Sequence, residues 1–331
     1  MTRETKTALV IGATGGFGHA AAMALLAHGW RVRALSRRRP SDPRLEWAQG
    51  DLFRPEQVIA AAEGVEVIVQ AANPPGYRGW ERQLPAMLDS ALAAARASGA
   101  RLVYPASVYN FDPRTTPVPG EATPQRARTV KGRLRIAQED RLREASETGV
   151  RVLLLRAGDF FGPPPVNGWL SGGMVKPGAP LRAVTYPGRR AIGHAWAYLP
   201  DLGETLARLL DQETRLGGFE VFHFGGHWLE DGMEMAEAVR RASGRPDLPV
   251  RGFPWLVVRA MAPFSATMRG VAEMSYLWRE PLRLDNRRLA AFLGEEPHTP
   301  LDQAVRTSLL GLGCLGDAAA DQPRLRLAAA H

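Results

Sequence analysis

A chain of 331 residues, 45% hydrophobic and 23% charged, has the composition of an ordinary globular protein with room for one large core or two smaller ones. Its formal net charge of +8 comes from basic residues spread along the chain without an interleaved aromatic strip, which argues against a nucleic-acid partner. No apolar run reaches bilayer length, so no stable membrane insertion is expected, and the single Cys314 excludes an intrachain disulfide and fits a reducing, cytoplasmic setting.

Met1–Lys6 is polar and too short for a signal peptide. Ala8-Leu9-Val10-Ile11 then reads as a buried parallel strand, and Ala20–His28 as an Ala/Leu-rich helix. Between them Gly12, Gly15 and Gly18 recur every third residue. A strand, a glycine turn and a helix N-terminus in that order make an anion site, because backbone N–H groups and the helix dipole both favour negative charge. Missing Cβ atoms let a pyrophosphate come close. The expected contacts are Gly12, Thr14, Gly15, Gly16, Phe17 and Gly18.

The G-x-x-G-x-x-G spacing resembles the extended and atypical short-chain dehydrogenase/reductase superfamily, with its NAD-dependent epimerase/dehydratase-like members. The resemblance runs from Thr7 to about Gly226. It implies an α/β fold, a Rossmann doubly wound parallel sheet with a smaller, mostly helical C-terminal substrate lobe. On this reading residues 1–162 plus about 191–226 form the dinucleotide-binding domain. Residues 163–190 and 227–316 form the substrate lobe, and 317–331 a flexible tail.

Trp30–Ser36 alternates as a second strand and delivers Ser36-Arg37-Arg38-Arg39. NAD-specific folds place an acid here for the ribose 2′-hydroxyl, whereas arginine suits a 2′-phosphate. The residues therefore point to NADP(H), with NAD(H) as the alternative, and Ser36, Arg37 and Arg38 are the expected contacts. Leu45–Leu52 reads as the third strand and its exit, and Asp51-Leu52 matches the pair that the superfamily sets beside the adenine. After the helix Pro55–Glu63, the strand Val65–Gln70 ends in Ala71-Ala72-Asn73, small residues against which a cofactor ribose can lie. The loop Pro74–Trp80 and a helix over Glu81–Ser98 follow.

The strand Arg101–Tyr104 leads into Pro105-Ala106-Ser107-Val108-Tyr109. Extended members carry a serine four residues before that tyrosine, which here is Pro105. Proline has no hydroxyl, and Ser107 is two positions out of register. The helix Val130–Ser146 aligns on Gly132 and Glu139, which puts Lys131 at the family's catalytic tyrosine and Arg135 at its lysine. This Lys-x-x-x-Arg resembles the isoflavone reductase-like branch, where a lysine on this helix is the acid/base. Of 42 basic residues only Lys6, Lys131 and Lys176 are lysines, and arginine could not exchange a proton near neutral pH. Lys131 is therefore expected both as acid/base and as a cofactor contact.

The strand Val150–Leu155 ends in Arg156-Ala157-Gly158-Asp159-Phe160-Phe161-Gly162-Pro163, similar to a segment of extended members near the nicotinamide. Pro163–Arg190 reads as loops of the substrate lobe. His194, Trp196 and Tyr198 alternate on one strand face, and Asp201 resembles the acid at the following helix start. Asp159 and His194 are the further catalytic candidates, His223 is read as structural, and no metal is expected. Pro254–Phe264 is an apolar segment, either a pocket wall or an interfacial helix.

The leading expectation is an NADP(H)-dependent oxidoreductase acting on a small aromatic or apolar substrate, as a monomer or homodimer. A nucleotide-sugar epimerase or dehydratase is the alternative within enzymes. A non-catalytic NADP(H) sensor is the alternative outside them.

Overall fold

The computed structural model describes residues 5–74, 79–164 and 168–315. The first half runs β1 (Thr7–Ile11), α1 (Gly16–Ala27), β2 (Arg31–Ser36), β3 (Glu46–Gln49), α2 (Pro55–Ala61), β4 (Val67–Gln70), α3 (Trp80–Ser98), β5 (Arg101–Ser107) and α4 (Val130–Glu147). Next come β6 (Val152–Ala157), β7 (Asp159–Phe161), β8 (Val184–Tyr186), β9 (His194–Tyr198), α5 (Leu199–Asp211), β10 (Phe219–His223) and β11 (His227–Leu229). The chain closes with α6 (Glu234–Ser243), β12 (Val250–Gly252), α7 (Trp255–Met261), α8 (Ala266–Glu273), α9 (Arg287–Leu293) and α10 (Leu301–Gly311).

Seven parallel strands form the central sheet in the order β10-β6-β5-β4-β1-β2-β3. The order reverses between β1 and β4, which is where doubly wound sheets open a crevice for a ligand. β1, β4 and β6 are buried along their whole length, because helices cover both faces and leave no side for water. One face packs against α1 and α5. There Ala20, Ala21 and Ala22 are small enough for the helices to touch, and a Cβ on Gly203 would lie 2.5 Å from the Ala20 carbonyl oxygen. The other face packs against α2, α3 and α4 through Val58, Met87, Leu88, Leu92 and Leu142.

A three-stranded sheet, β11-β9-β7, and the pair β12-β8 share a separate core with α6 and α10. A short 3₁₀ turn, Met274–Trp278, joins another cluster with Val108 and Phe111 at the end of β5.

Several boundaries differ from the sequence reading. α1 begins at Gly16 rather than Ala20, so Gly18 lies inside its first turn. β5 continues through Pro105 to Ser107. It pairs with β4 only over Arg101–Val103 and with β6 as far as Ser107, so Pro105 has a strand on one side only and its missing N–H is tolerated. The stretch read as loops after Pro163 contains β8 and a π-helical turn, Leu170–Met174. The tail 317–331 and residues 75–78 of the Pro74–Trp80 loop lie outside the described residues.

Candidate functional site

The three glycines of the first loop do different work. Gly12 has φ +89° and a Cβ there would lie 2.8 Å from the Ala72 nitrogen, so the ends of β1 and β4 touch backbone to backbone. A Cβ on Gly18 would lie 2.2 Å from the Gly12 carbonyl oxygen, so this glycine lets α1 start hard against the turn. Gly15 is unlike both. Its added Cβ would meet only the Gly12 carbonyl, at 3.4 Å, and Gly15 and Thr14 are exposed at the crest of the loop. The fold therefore demands no glycine at 15, whereas a pyrophosphate lying against the loop would. The α1 N-terminus behind it has no side-chain cap and no acid in its first turn, which leaves its N–H groups and dipole for an anion. Gly16 begins the helix, whereas Phe17 turns inward against Phe160, with ring centroids 6.4 Å apart, so only its backbone can serve a ligand. The residues present thus fit a dinucleotide.

At the end of β2, Arg37 and Arg38 are exposed, and among the described residues neither pairs with a carboxylate. The Ser36 hydroxyl accepts the Arg38 N–H at 3.3 Å, and its carbonyl accepts the Trp47 indole N–H at 3.3 Å. Asp51 caps its own turn by accepting the Phe53 N–H at 3.0 Å, and Leu52 is buried in the core beneath it. After β4, Gln70 Oε1 accepts the Ala72 N–H at 2.8 Å and fixes the Ala71-Ala72 bend. Asn73 Oδ1 accepts Arg135 Nη2 at 3.0 Å, which ties this strand end to α4.

The start of α4 is set by Thr129, whose hydroxyl accepts the Gly132 N–H at 3.0 Å. Gly132 allows a close approach, since its Cβ would lie 2.2 Å from the Tyr109 carbonyl oxygen. Lys131 and Arg135, one turn apart, are thereby brought to the ends of β4 and β5. Arg135 also donates to the Tyr104 hydroxyl at 2.8 Å and lies over the Trp80 ring at 5.0 Å.

Lys131 is 4% exposed and donates its ammonium to the Gly270 carbonyl at 2.6 Å. Its backbone N–H donates to Glu273 Oε1 at 3.1 Å. Burial draws its pKa down from the ordinary lysine range to about 8, with Arg135 adding to the fall and Glu273 opposing it.

β7 and β9 run side by side and place Asp159 against His194, Nε2 to Oδ2 at 2.7 Å. The imidazole stacks flat on Trp278 at 3.8 Å between centroids, and its Nδ1 lies 3.3 Å from the Leu277 carbonyl. A small cavity here is lined by Val108, Gly158, Asp159, His194, Leu277 and Leu282. One short stretch thus reaches both candidate groups, Gly270 at Lys131 and Leu277 at His194.

The alternation of His194, Trp196 and Tyr198 is real, but only His194 reaches the cavity. Trp196 and Tyr198 pack on Phe161 at 6.1 and 5.2 Å between centroids. Asp201 accepts the Thr299 N–H and hydroxyl at 2.7 and 2.6 Å, an anchor for the chain between α9 and α10. His223 is fully buried. Its Nε2 accepts Arg156 Nε at 3.2 Å and its Nδ1 donates to the Pro119 carbonyl at 3.2 Å. Ser107 holds the turn by accepting the Tyr109 N–H at 3.1 Å. Trp80, Gly270 and Trp278 escaped the sequence reading, because what marks them is contact with residues far away in the chain.

Comparison with known proteins gives a consistent picture. A curated relative, ceramide reductase of Caulobacter vibrioides, is 35% identical over 112 residues, 31% of this chain. That match spans only 35% of the relative's own length. UDP-glucose 4-epimerase from Brucella ovis, solved in complex with NAD, superposes with a TM-score of 0.73 at 17% identity, over 93% of this chain and 99% of that one. UDP-N-acetylglucosamine 4-epimerase from Bacillus cereus gives 0.70 at 17% identity, over 95% and 98%. These structures share the fold. The model of the NAD dependent epimerase/dehydratase family matches residues 8–214, and the chain belongs to that family.

Proposed function

We propose that the protein is an NADP(H)-dependent oxidoreductase that reduces a carbonyl on a small aromatic or apolar substrate, with Lys131 as the proton donor. The observation that carries this reading is the state of Lys131, a buried amine drawn down to about 8 at the position of the family's catalytic tyrosine. A group that titrates near the working pH can be charged and still give up its proton, which a surface lysine does poorly.

The glycine loop would hold the pyrophosphate, Arg37 and Arg38 a 2′-phosphate, and Asn73 and Arg135 the ribose nearest the chemistry. A bound nicotinamide supplies the hydride. Lys131 delivers the proton from Nζ to the developing alkoxide oxygen. Arg135 stays charged one turn away and favours the neutral amine that results. Asp159 and His194 would orient the substrate from the cavity they line with Val108, Leu277 and Leu282, whose apolar side chains exclude water.

The family's name favours a second reading, epimerisation of a nucleotide sugar. Pro105 and Lys131 replace the hydroxyl groups that such a reaction normally uses. A screen of aromatic, aliphatic and long-chain carbonyls for NADPH oxidation tests the first reading. Interconversion of a UDP-sugar without net cofactor consumption would establish the second in its place.

A further inference from the structure

Helices α7 and α8 form a hairpin with two unlike faces. The inner face is tied down. Val258 is buried, the Trp255 indole N–H donates to the Pro187 carbonyl at 2.7 Å, and Trp169 and Phe253 flank the ring. The outer face shows Leu256, 81% exposed, and Phe264, 84% exposed, together with Val257, Met261 and Met268. Five of the eleven exposed large hydrophobic residues described in the structure fall in this one hairpin. Single exposed apolar side chains are normal, but a cluster of this kind marks an interaction surface.

Charge selects the partner. Between Leu248 and Ala272 the chain holds Arg251, Arg259 and Arg269, all exposed, and no acid; of the flanking acids, Glu273 at the end of α8 accepts the Lys131 N–H and Asp247 lies beside Arg245. Arg269 also donates to the Ala262 and Pro263 carbonyls at 3.3 Å each, which sets the turn. A second copy seated on this face would bring three arginines against three with no acid between them. An apolar centre with a basic rim suits lipid, where acyl chains take the first and phosphates the second.

We propose that the α7–α8 hairpin docks on an anionic phospholipid surface, with Leu256, Val257, Met261 and Phe264 entering the acyl boundary. Arg251, Arg259 and Arg269 rest among the headgroup phosphates. The helix that turns Met268 outward also gives the Gly270 carbonyl to Lys131, so the docking face borders the candidate site. No helix among the described residues is long and apolar enough to cross a membrane, so the contact is peripheral.

Flotation of the full chain with vesicles tests this, and it reads binding without turnover, so its failure leaves the reading of Lys131 untouched. The protein should float with vesicles of phosphatidylglycerol and phosphatidylcholine, far less with phosphatidylcholine alone, and less as salt is added. A Leu256→Asp/Phe264→Asp variant should lose at least about tenfold in partitioning, while Ile59→Asp on α2 keeps it. Circular dichroism checks that each variant is folded. Wild-type protein that stays off the vesicles, or a double variant that floats as well as wild type, overturns the proposal. So does a wild-type dimer, seen by sedimentation velocity, that the double variant abolishes without any vesicle binding.

Discussion

Nε2 of His194 lies 2.7 Å from Oδ2 of Asp159, with the imidazole flat on the Trp278 indole. Thirty-five residues separate the two in sequence, and the β7–β9 pairing closes the gap. The imidazole is held from three sides, by the Asp159 carboxylate, the Trp278 ring and the Leu277 carbonyl, which is the rigidity a positioning group requires. Once a substrate is identified, Asp159→Asn and His194→Ala should each lower kcat/KM about tenfold to a hundredfold, mostly through KM. Steady-state kinetics equal to wild type would make the cavity a packing feature.

The exposed pair Arg37 and Arg38 should select NADP(H) over NAD(H). Each charge-assisted contact to a 2′-phosphate contributes about 1.5–3 kcal/mol. An Arg37→Ala/Arg38→Ala variant should therefore lose most of its NADP(H) affinity and keep that for NAD(H). Calorimetric titration of both cofactors measures the two directly, and equal affinities in the wild type would refute the assignment.

Gly15 and Gly18 separate binding from folding. Gly15→Val should melt like wild type and fail to bind a dinucleotide, because its side chain points where only the Gly12 carbonyl lies near. Gly18→Ala should cost about 1–3 kcal/mol of stability, since its Cβ would sit 2.2 Å from backbone that cannot withdraw. Thermal melts beside cofactor titrations distinguish the two outcomes.

His223 makes the fold acid-sensitive. Burial, reinforced by Arg156, pushes its pKa down to about 3, so the ring is neutral in the native state. The unfolded chain takes up this proton below about 6.5 while the folded chain does not, so stability is full above that value and falls as pH drops towards about 3. His227, pushed down to about 4 by burial and His298, acts in the same sense. Denaturant midpoints at neutral and mildly acid pH should fall more steeply for wild type than for His223→Gln. Parallel slopes would count against this account.

How much was legible in the sequence depended on distance along the chain. The glycine loop, the basic end of β2 and the Lys131–Arg135 turn were readable because their geometry is local, a strand end or a helix turn. Pro105 reads as the end of its strand, yet β5 runs three residues past Tyr104 to Ser107, because tolerance of the proline depends on β4 being shorter than β6. The Trp278 stack on His194 and the Gly270 carbonyl on Lys131 join residues far apart in the chain, and no periodicity encodes such contacts. Trp196 and Tyr198 show the converse, since correct alternation still left open which residues of a face meet the cavity and which meet Phe161.

The central claim rests on one amine, and the pH dependence of turnover tests it most directly. If Lys131 donates the proton in the reducing direction, the wild-type rate should be highest with the amine charged and fall as pH rises through about 8. Lys131→Arg keeps the charge but cannot release a proton in this range, so it should bind cofactor and lose about 10²–10⁴-fold in rate, with the ionisation near 8 gone. A Lys131→Arg enzyme that turns over near the wild-type rate with an unchanged profile would contradict the account.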